Sequence, residues 1–314
     1  MKTKPSSALL GSLLLGAVGV AALRVMMNRQ RTALSQAPRA DAPTGLYGAA
    51  ALLSASVLAD SALEHYRGSF ENPGMFAPLI SSALALCAGV EGAVSTPPAA
   101  RRFRNRSFRL SVAVGAAGLA FHIYNIFKRP GGLSWLNLFY GAPVGAPAAL
   151  SVSGLLGLAA EQIATQRAPD LEVLGLPAGR ALAAFTSLAL AGDVSEVALF
   201  HFRGAFQNPF MYAPVLMPPV ASGLLAKASL EPPAQAHPFT RAWLWASCLL
   251  GFIGMGFHAY GVARAMGGWR NWSQNLVDGP PLPAPPSFSA LSLAGLASLS
   301  MIEREGHAGK SQGA

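Results

Sequence analysis

HYRGSFENPGMFAP, at residues 65–78, recurs 136 positions later as HFRGAFQNPFMYAP, at residues 201–214, with nine of the fourteen positions identical. Two further pairs of blocks align in the same order: residues 115–132 with 251–268 and, after a two-residue insertion, 137–147 with 275–285. Three aligned pairs of blocks in one order predict that the chain contains two copies of one structural unit.

The composition predicts a polytopic membrane protein. Apolar residues make up 52% of the chain and charged residues only 12%, about half of the roughly 25% that is usual in globular domains. The apolar residues form blocks of about twenty, the length a helix needs to cross roughly 30 Å of hydrocarbon. We predict nine all-α spans near residues 8–26, 46–66, 76–94, 108–127, 142–160, 179–202, 211–230, 242–262 and 288–302.

The two units and their flanking segments define the predicted domains. Residues 1–40 form a leading span with a basic linker, 41–167 the first four-helix repeat, 168–303 the second, and 304–314 a polar tail. A signal peptide is the alternative for the first span, but no small-residue cleavage site leads into a polar segment there, so we expect a retained helix. An even number of crossings per repeat makes the two copies parallel, related by an axis along the membrane normal.

Charge placement predicts the orientation and excludes a nucleic-acid partner. The net charge of +9 comes mostly from arginines at span ends, including the RRFRNRSFR loop at residues 101–109. Placing that loop in the cytoplasm puts fifteen basic residues inside and eight outside, as the positive-inside rule favours. Both repeat motifs then face the periplasm or exterior of a prokaryotic plasma (inner) membrane. Cys87 and Cys248 lie inside apolar stretches, so no disulfide framework is expected.

Four histidines fall into equivalent pairs, His65 with His201 and His122 with His258. On parallel helices both members of a pair reach the same depth, an arrangement that suits bis-histidine ligation of haem b, or a share in a metal site. Glycines four and seven residues before His122 and His258 would leave room for a macrocycle. Arg67 with Arg203 would bind its propionates. The alternative is structural: such histidines bond helix-end carbonyls, and such glycines pack helices together.

Four acids lie within the spans: Asp60, Glu64, Asp193 and Glu196. Ionisable groups in hydrocarbon cost about 2.5–3.5 kcal/mol each, so they usually face a bundle interior or a water-filled cavity. Asp60 and Glu196 are repeat equivalents. The set could form a proton or cation path, accept the outer N–H of a ligand imidazole, or pair with the arginines.

Three functions compete on this basis. The first is a haem- or metal-binding electron-transfer subunit of a membrane oxidoreductase, itself non-catalytic, exchanging electrons with quinone or an extracytoplasmic redox partner. The second is a small-solute or proton/cation-coupled transporter that uses the intramembrane acids. The third is a membrane scaffold or assembly protein. No residue is assigned a catalytic role, and the lipid bilayer is the partner common to all three.

Overall fold

The structure is a computed structural model, 84% helical, that describes residues 41–95, 98–165, 172–173, 175–232 and 237–312. The predicted leading span at residues 8–26 lies outside the described residues. Within them the all-α fold is confirmed, apart from a two-stranded antiparallel ribbon of β1 (Glu172–Val173) and β2 (Leu176–Pro177).

Ten α-helices follow one another along the described chain. In order they are α1 Asp41–Arg67, α2 Ala77–Val94, α3 Arg101–Phe127, α4 Trp135–Tyr140, α5 Gly145–Thr165, α6 Ala178–Arg203, α7 Ala213–Leu230, α8 Pro238–Arg264, α9 Trp272–Asp278 and α10 Pro286–Gln312. Short 3-10 turns precede α2, α3, α7 and α9. The eight long helices cover the eight predicted spans after the first, and α10 continues through most of the predicted polar tail.

Seven of these helices, all of the long ones except α10, are long and apolar enough to cross a membrane. Helix α10 is enclosed by protein: almost every residue from Ser287 to Ile302 is buried among α1, α6, α7 and α8. Its serines lower its hydropathy without facing lipid.

One predicted loop is helical. Residues 101–109, expected as a cytoplasmic loop, form the first turns of α3. Arginine is a good helix former, and Arg104 points inward, where it binds Glu161 and Glu91. The cluster of arginines therefore begins a helix, and the connection from α2 is confined to a few residues around position 98.

The long helices form two four-helix bundles with the same order of neighbours. In the first bundle α1 packs on α2, α2 on α3, α3 on α5, and α5 back on α1. In the second bundle α6 packs on α7, α7 on α8, α8 on α10, and α10 back on α6.

The two bundles meet at two unequal junctions. Helices α1 and α10 pack along each other extensively, and both are largely buried. Helices α5 and α6, which form the other junction, touch only sparsely. The space that this leaves between α5 and α6 is called the cleft below.

Candidate functional site

The repeated motif folds into the same turn in both bundles, and the turn holds a histidine. Ser69 and Phe70 after α1 have positive φ angles of 54° and 49°. Their counterparts after α6, Ala205 and Phe206, have φ angles of 55° and 46°. Non-glycine residues rarely occupy this region. Asn72 Oδ1 then accepts a hydrogen bond from the Gly74 amide at 2.8 Å. The turn brings the Met75 carbonyl to 2.7 Å from His65 Nδ1. In the second bundle His201 Nδ1 lies 2.8 Å from the Met211 carbonyl.

The other two histidines also bind loop carbonyls. His122 Nδ1 bonds the carbonyl of Pro143, just before α5. His258 Nδ1 lies 2.7 Å from the carbonyl of Pro281, just before α10. Because a carbonyl only accepts, Nδ1 must carry the proton in each of the four residues. In the neutral form of each residue Nε2 then carries the lone pair, which is the state in which histidine ligates a metal.

Electrostatic interactions link the histidines within each bundle. In the first bundle His65 interacts electrostatically with His122, and in the second bundle His258 interacts with His201. The expected couples joined equivalent residues across the two bundles. The grouping follows from the turns, which hold each histidine against a loop of its own half. These four residues define the motif end of the protein.

The glycines beside these histidines do not leave the expected space. A Cβ on Gly115 would overlap Ser151 Oγ and lie 2.6 Å from the Pro147 carbonyl. Gly251 meets Ser289 and Pro285 in the same way. These glycines therefore let α3 approach α5 and α8 approach α10 closely, as small residues do between membrane helices. In the part of the chain that the structure describes, no group of three or more His, Cys, Asp or Glu could hold a metal ion.

The cleft contains a cavity of about 540 Å³. Its walls are α5 and α6, together with the end of α4 and the loop that follows it, Leu53 of α1, Leu119 of α3 and the start of α10. Most of the lining is apolar and includes three phenylalanines. The polar side chains that line it are Asp193, Ser195, Glu196, Arg203 and Ser287.

Both predicted acids of α6 reach this cavity, where Asp193 binds a hydroxyl and Glu196 binds the backbone amides of Gly145 and Val144. Asp193 Oδ2 accepts a hydrogen bond from Ser287 Oγ at 2.7 Å. Glu196 Oε1 accepts one from the Gly145 amide at 3.0 Å, where the amides at the start of α5 favour an anion. A Cβ on Gly145 would overlap the Glu196 carboxylate, so the contact requires glycine.

Asp60, the repeat equivalent of Glu196, is placed differently. It interacts electrostatically with Glu196 on α6 of the other bundle and with Glu64 on its own helix. The position equivalent to Gly145 is Pro283, which has no amide hydrogen to offer. Among the described residues Asp60 has no hydrogen bond or ion pair. Asp60, Asp193 and Glu196 therefore all lie where the two bundles meet. Of these three acids, Glu196 alone binds the start of a helix.

The two predicted arginines have different partners. Arg67 forms an ion pair with Glu64 at 3.0 Å and donates to the carbonyl of Val277 on α9. Arg203 lines the cavity at the motif end, with its guanidinium 5.5–5.6 Å from the rings of Phe139, Tyr140 and Phe200. Within the described residues no carboxylate lies within 4 Å of it.

A buried ionic network at the opposite end of the first bundle was not predicted. Arg104 and Glu161, each 3% exposed, form an ion pair, and Arg104 also binds Glu91 at 2.7 Å. The Tyr47 hydroxyl donates to Glu161 at 2.6 Å. Each of the four helices contributes one member. The available signal was three charged residues in or beside apolar spans, Glu91, Arg104 and Glu161, whose counterparts in the second repeat are Lys227, Thr240 and Leu299.

Comparison with protein-family models, with curated proteins and with solved structures finds no match to this chain.

Proposed function

We propose that this protein is a multi-pass membrane transporter with its solute site in the cleft cavity. The observation that carries the proposal is the cavity of about 540 Å³ at the junction of two four-helix bundles, lined by Asp193 and Glu196. Transporters built from repeats place substrate and coupling-ion sites at the repeat interface. Ionisable groups inside a membrane mark such pathways.

The proposed architecture is one leading span followed by two parallel four-helix repeats. The recurrence of the same turn, the same histidine bonds and the same helix order in both halves supports it. In this arrangement the arginine-rich start of α3 is cytoplasmic. The motif end faces the periplasm or exterior of a prokaryotic plasma membrane.

The proposed motion is a rocking of the two bundles about the extensive α1–α10 junction. The sparse α5–α6 junction would open first toward one side and then toward the other. The acids would carry the coupling: Asp193 and Glu196 in the cavity, with Asp60 on α1 as the repeat equivalent of Glu196 and Glu64 one turn nearer the motif end. Protons or cations binding these carboxylates would change the charge of the junction as it moves.

Cysteine accessibility tests this function without knowledge of the solute. In a Cys87→Ala/Cys248→Ala background, Ser195→Cys places one thiol on the exposed, cavity-lining face of α6. A membrane-impermeant maleimide is added to right-side-out and to inverted membrane vesicles. We expect labelling in both, because the cleft opens to each side in turn. Labelling in only one orientation, or in neither, overturns the proposal.

The matched control is Gly223→Cys in the same background. Gly223 is an exposed glycine on α7, outside the cavity, and in the proposed arrangement it faces lipid. It should stay unlabelled in both kinds of vesicle. Labelling of this control would show that the reagent crosses the membrane.

Haem b binding in an electron-transfer subunit is the second proposal, and a specific observation favours it. Each bundle holds two histidines whose Nδ1 atoms bind backbone carbonyls, so that in the neutral form Nε2 is the ligating atom. A reduced-minus-oxidised spectrum of the purified protein tests it. A Soret band that disappears in His65→Ala or His122→Ala supports ligation, and a colourless preparation rejects it. Quinone or an extracytoplasmic redox partner would then exchange the electrons.

A further inference from the structure

The acidic and basic side chains that line the cleft cavity lie at different depths. Asp193 and Glu196 lie on α6 one turn apart, and Arg203 lies two turns further toward the motif end. No ion pair joins Arg203 to either acid. Its guanidinium is instead held against three aromatic rings at the mouth. The interior of the cavity therefore carries the carboxylates, and the cation stays at the edge.

Among the described residues, neither carboxylate has a cationic side chain as its partner. Asp193 has a hydroxyl partner and Glu196 has amides at a helix start, which are dipoles rather than charges. A carboxylate in an apolar enclosure is costly unless a cation or proton joins it. A ligand that brings a positive charge therefore gains the most in this position.

The rest of the lining selects the kind of cation. The cavity lies within the range of about 300–1,000 Å³ typical of small-molecule sites, so it has room for an organic ligand. Its walls are mainly aliphatic, with Phe139, Phe185 and Phe200. Phe139 and Phe200 already contact the Arg203 guanidinium, which leaves Phe185 to face a bound cation, since aromatic faces attract cations, including quaternary ammonium groups. A compact metal cation would need several oxygen ligands, and the apolar walls supply few.

The cleft also offers a route from the bilayer. Leu188, Gly192 and Ser195 all line the cavity on one stripe of α6 and all are exposed, Leu188 by 74%. The sparse contact between α5 and α6 leaves this stripe uncovered. A molecule dissolved in the hydrocarbon can therefore reach the cavity sideways.

We propose that the cleft cavity binds a lipophilic organic monocation, such as a quaternary ammonium or phosphonium ion with aromatic or alkyl substituents. This inference rests on the proposed function, since it names the substrate class of the same cavity. The positive centre lies near Asp193 and Glu196, and the apolar substituents contact the phenylalanines.

Two ions of the same shape and opposite charge test it. Tetraphenylphosphonium and tetraphenylborate are each measured by equilibrium dialysis against the purified full-length protein, with empty detergent micelles subtracted. We expect saturable binding of tetraphenylphosphonium and at least tenfold weaker binding of tetraphenylborate. Equal binding of both ions, or preference for the borate, overturns the inference, because Arg203 or simple hydrophobicity would then decide.

A pair of glycines supplies the matched variants. A Cβ on Gly192 or on Gly223 meets nothing within 4 Å, so both should accept leucine without disturbing the fold. Gly192→Leu fills the cavity and should weaken tetraphenylphosphonium binding at least tenfold. Gly223→Leu lies outside the cavity and should leave it unchanged. Unchanged binding in Gly192→Leu overturns the inference by placing the ion elsewhere.

Asp193→Asn removes one charge at nearly constant shape and should weaken tetraphenylphosphonium binding about tenfold. Failure of the inference can be separated from failure of the proposed function. If tetraphenylphosphonium does not bind but Ser195→Cys is labelled from both sides, the substrate class is wrong and transport stands. If neither result appears, both proposals fail.

Discussion

Replacing Arg104 with threonine tests how the first bundle is held together. The corresponding residue in the second repeat is Thr240, so the substitution takes a side chain that the chain already uses at that position. In the first bundle it would leave Glu161 with the Tyr47 hydroxyl and with a longer ion pair to the half-exposed Arg101, whose Nε is 3.8 Å away. Glu161 is 3% exposed, so water cannot replace the lost partner.

The expected cost separates two physical effects. Interhelical hydrogen bonds in membranes contribute only about 0.6 kcal/mol on average. Breaking a buried ion pair costs about 3–5 kcal/mol, because one charge is left buried without compensation. We therefore expect Arg104→Thr to lower the free energy of unfolding by about 3 kcal/mol, roughly a hundredfold in the folded-to-unfolded ratio.

The double variant Arg104→Thr/Glu161→Leu reproduces the pair found in the second repeat, Thr240 with Leu299. Because it removes both charges together, it should recover most of the loss, since apolar replacement of a buried ion pair is often neutral. Unfolding would be measured in detergent by titration with a denaturing surfactant, with circular dichroism as the signal. A loss below 1 kcal/mol for Arg104→Thr, or a double variant weaker than the single, refutes this reasoning.

Three further variants test single contacts of the structure. Gly115→Val should destabilise the protein by about 1–3 kcal/mol through overpacking against α5, whereas Gly256→Val, in open space on α8, should be neutral in the same melts. His122→Ala should cost about 1 kcal/mol by releasing the Pro143 carbonyl, and an unchanged melting temperature contradicts that bond. Glu196→Gln should cost about 1.5–3 kcal/mol by removing the charge at the start of α5, and a cost near zero would show that the carboxylate is not needed there.

The spans could be predicted because the bilayer sets both the length and the apolar character of a crossing helix. The segments 46–66 and 211–230 match α1 and α7 closely for this reason. The start of α3 could not be placed in this way, since Arg104 is buried by pairing with Glu161 rather than by its own hydropathy. A hydropathy profile records the charge of Arg104 but not the ion-pair partner that allows it to be buried.

The site was predicted in part. Asp193 and Glu196 were recognised as intramembrane acids, and the structure places both at one cavity. The cavity itself could not be predicted, because it arises from the difference between two junctions that the repeat would make equal. The sequence could not predict what Gly115 faces, because a glycine can leave room either for a ligand or for a neighbouring helix.

The labelling of Ser195→Cys from the two sides of the membrane, with and without tetraphenylphosphonium, tests the working of the cleft most directly. We predict modification in vesicles of both orientations and a clear slowing by the cation, while Gly223→Cys stays unmodified throughout. Modification confined to one orientation and unaffected by the cation would contradict a transport pathway between α5 and α6.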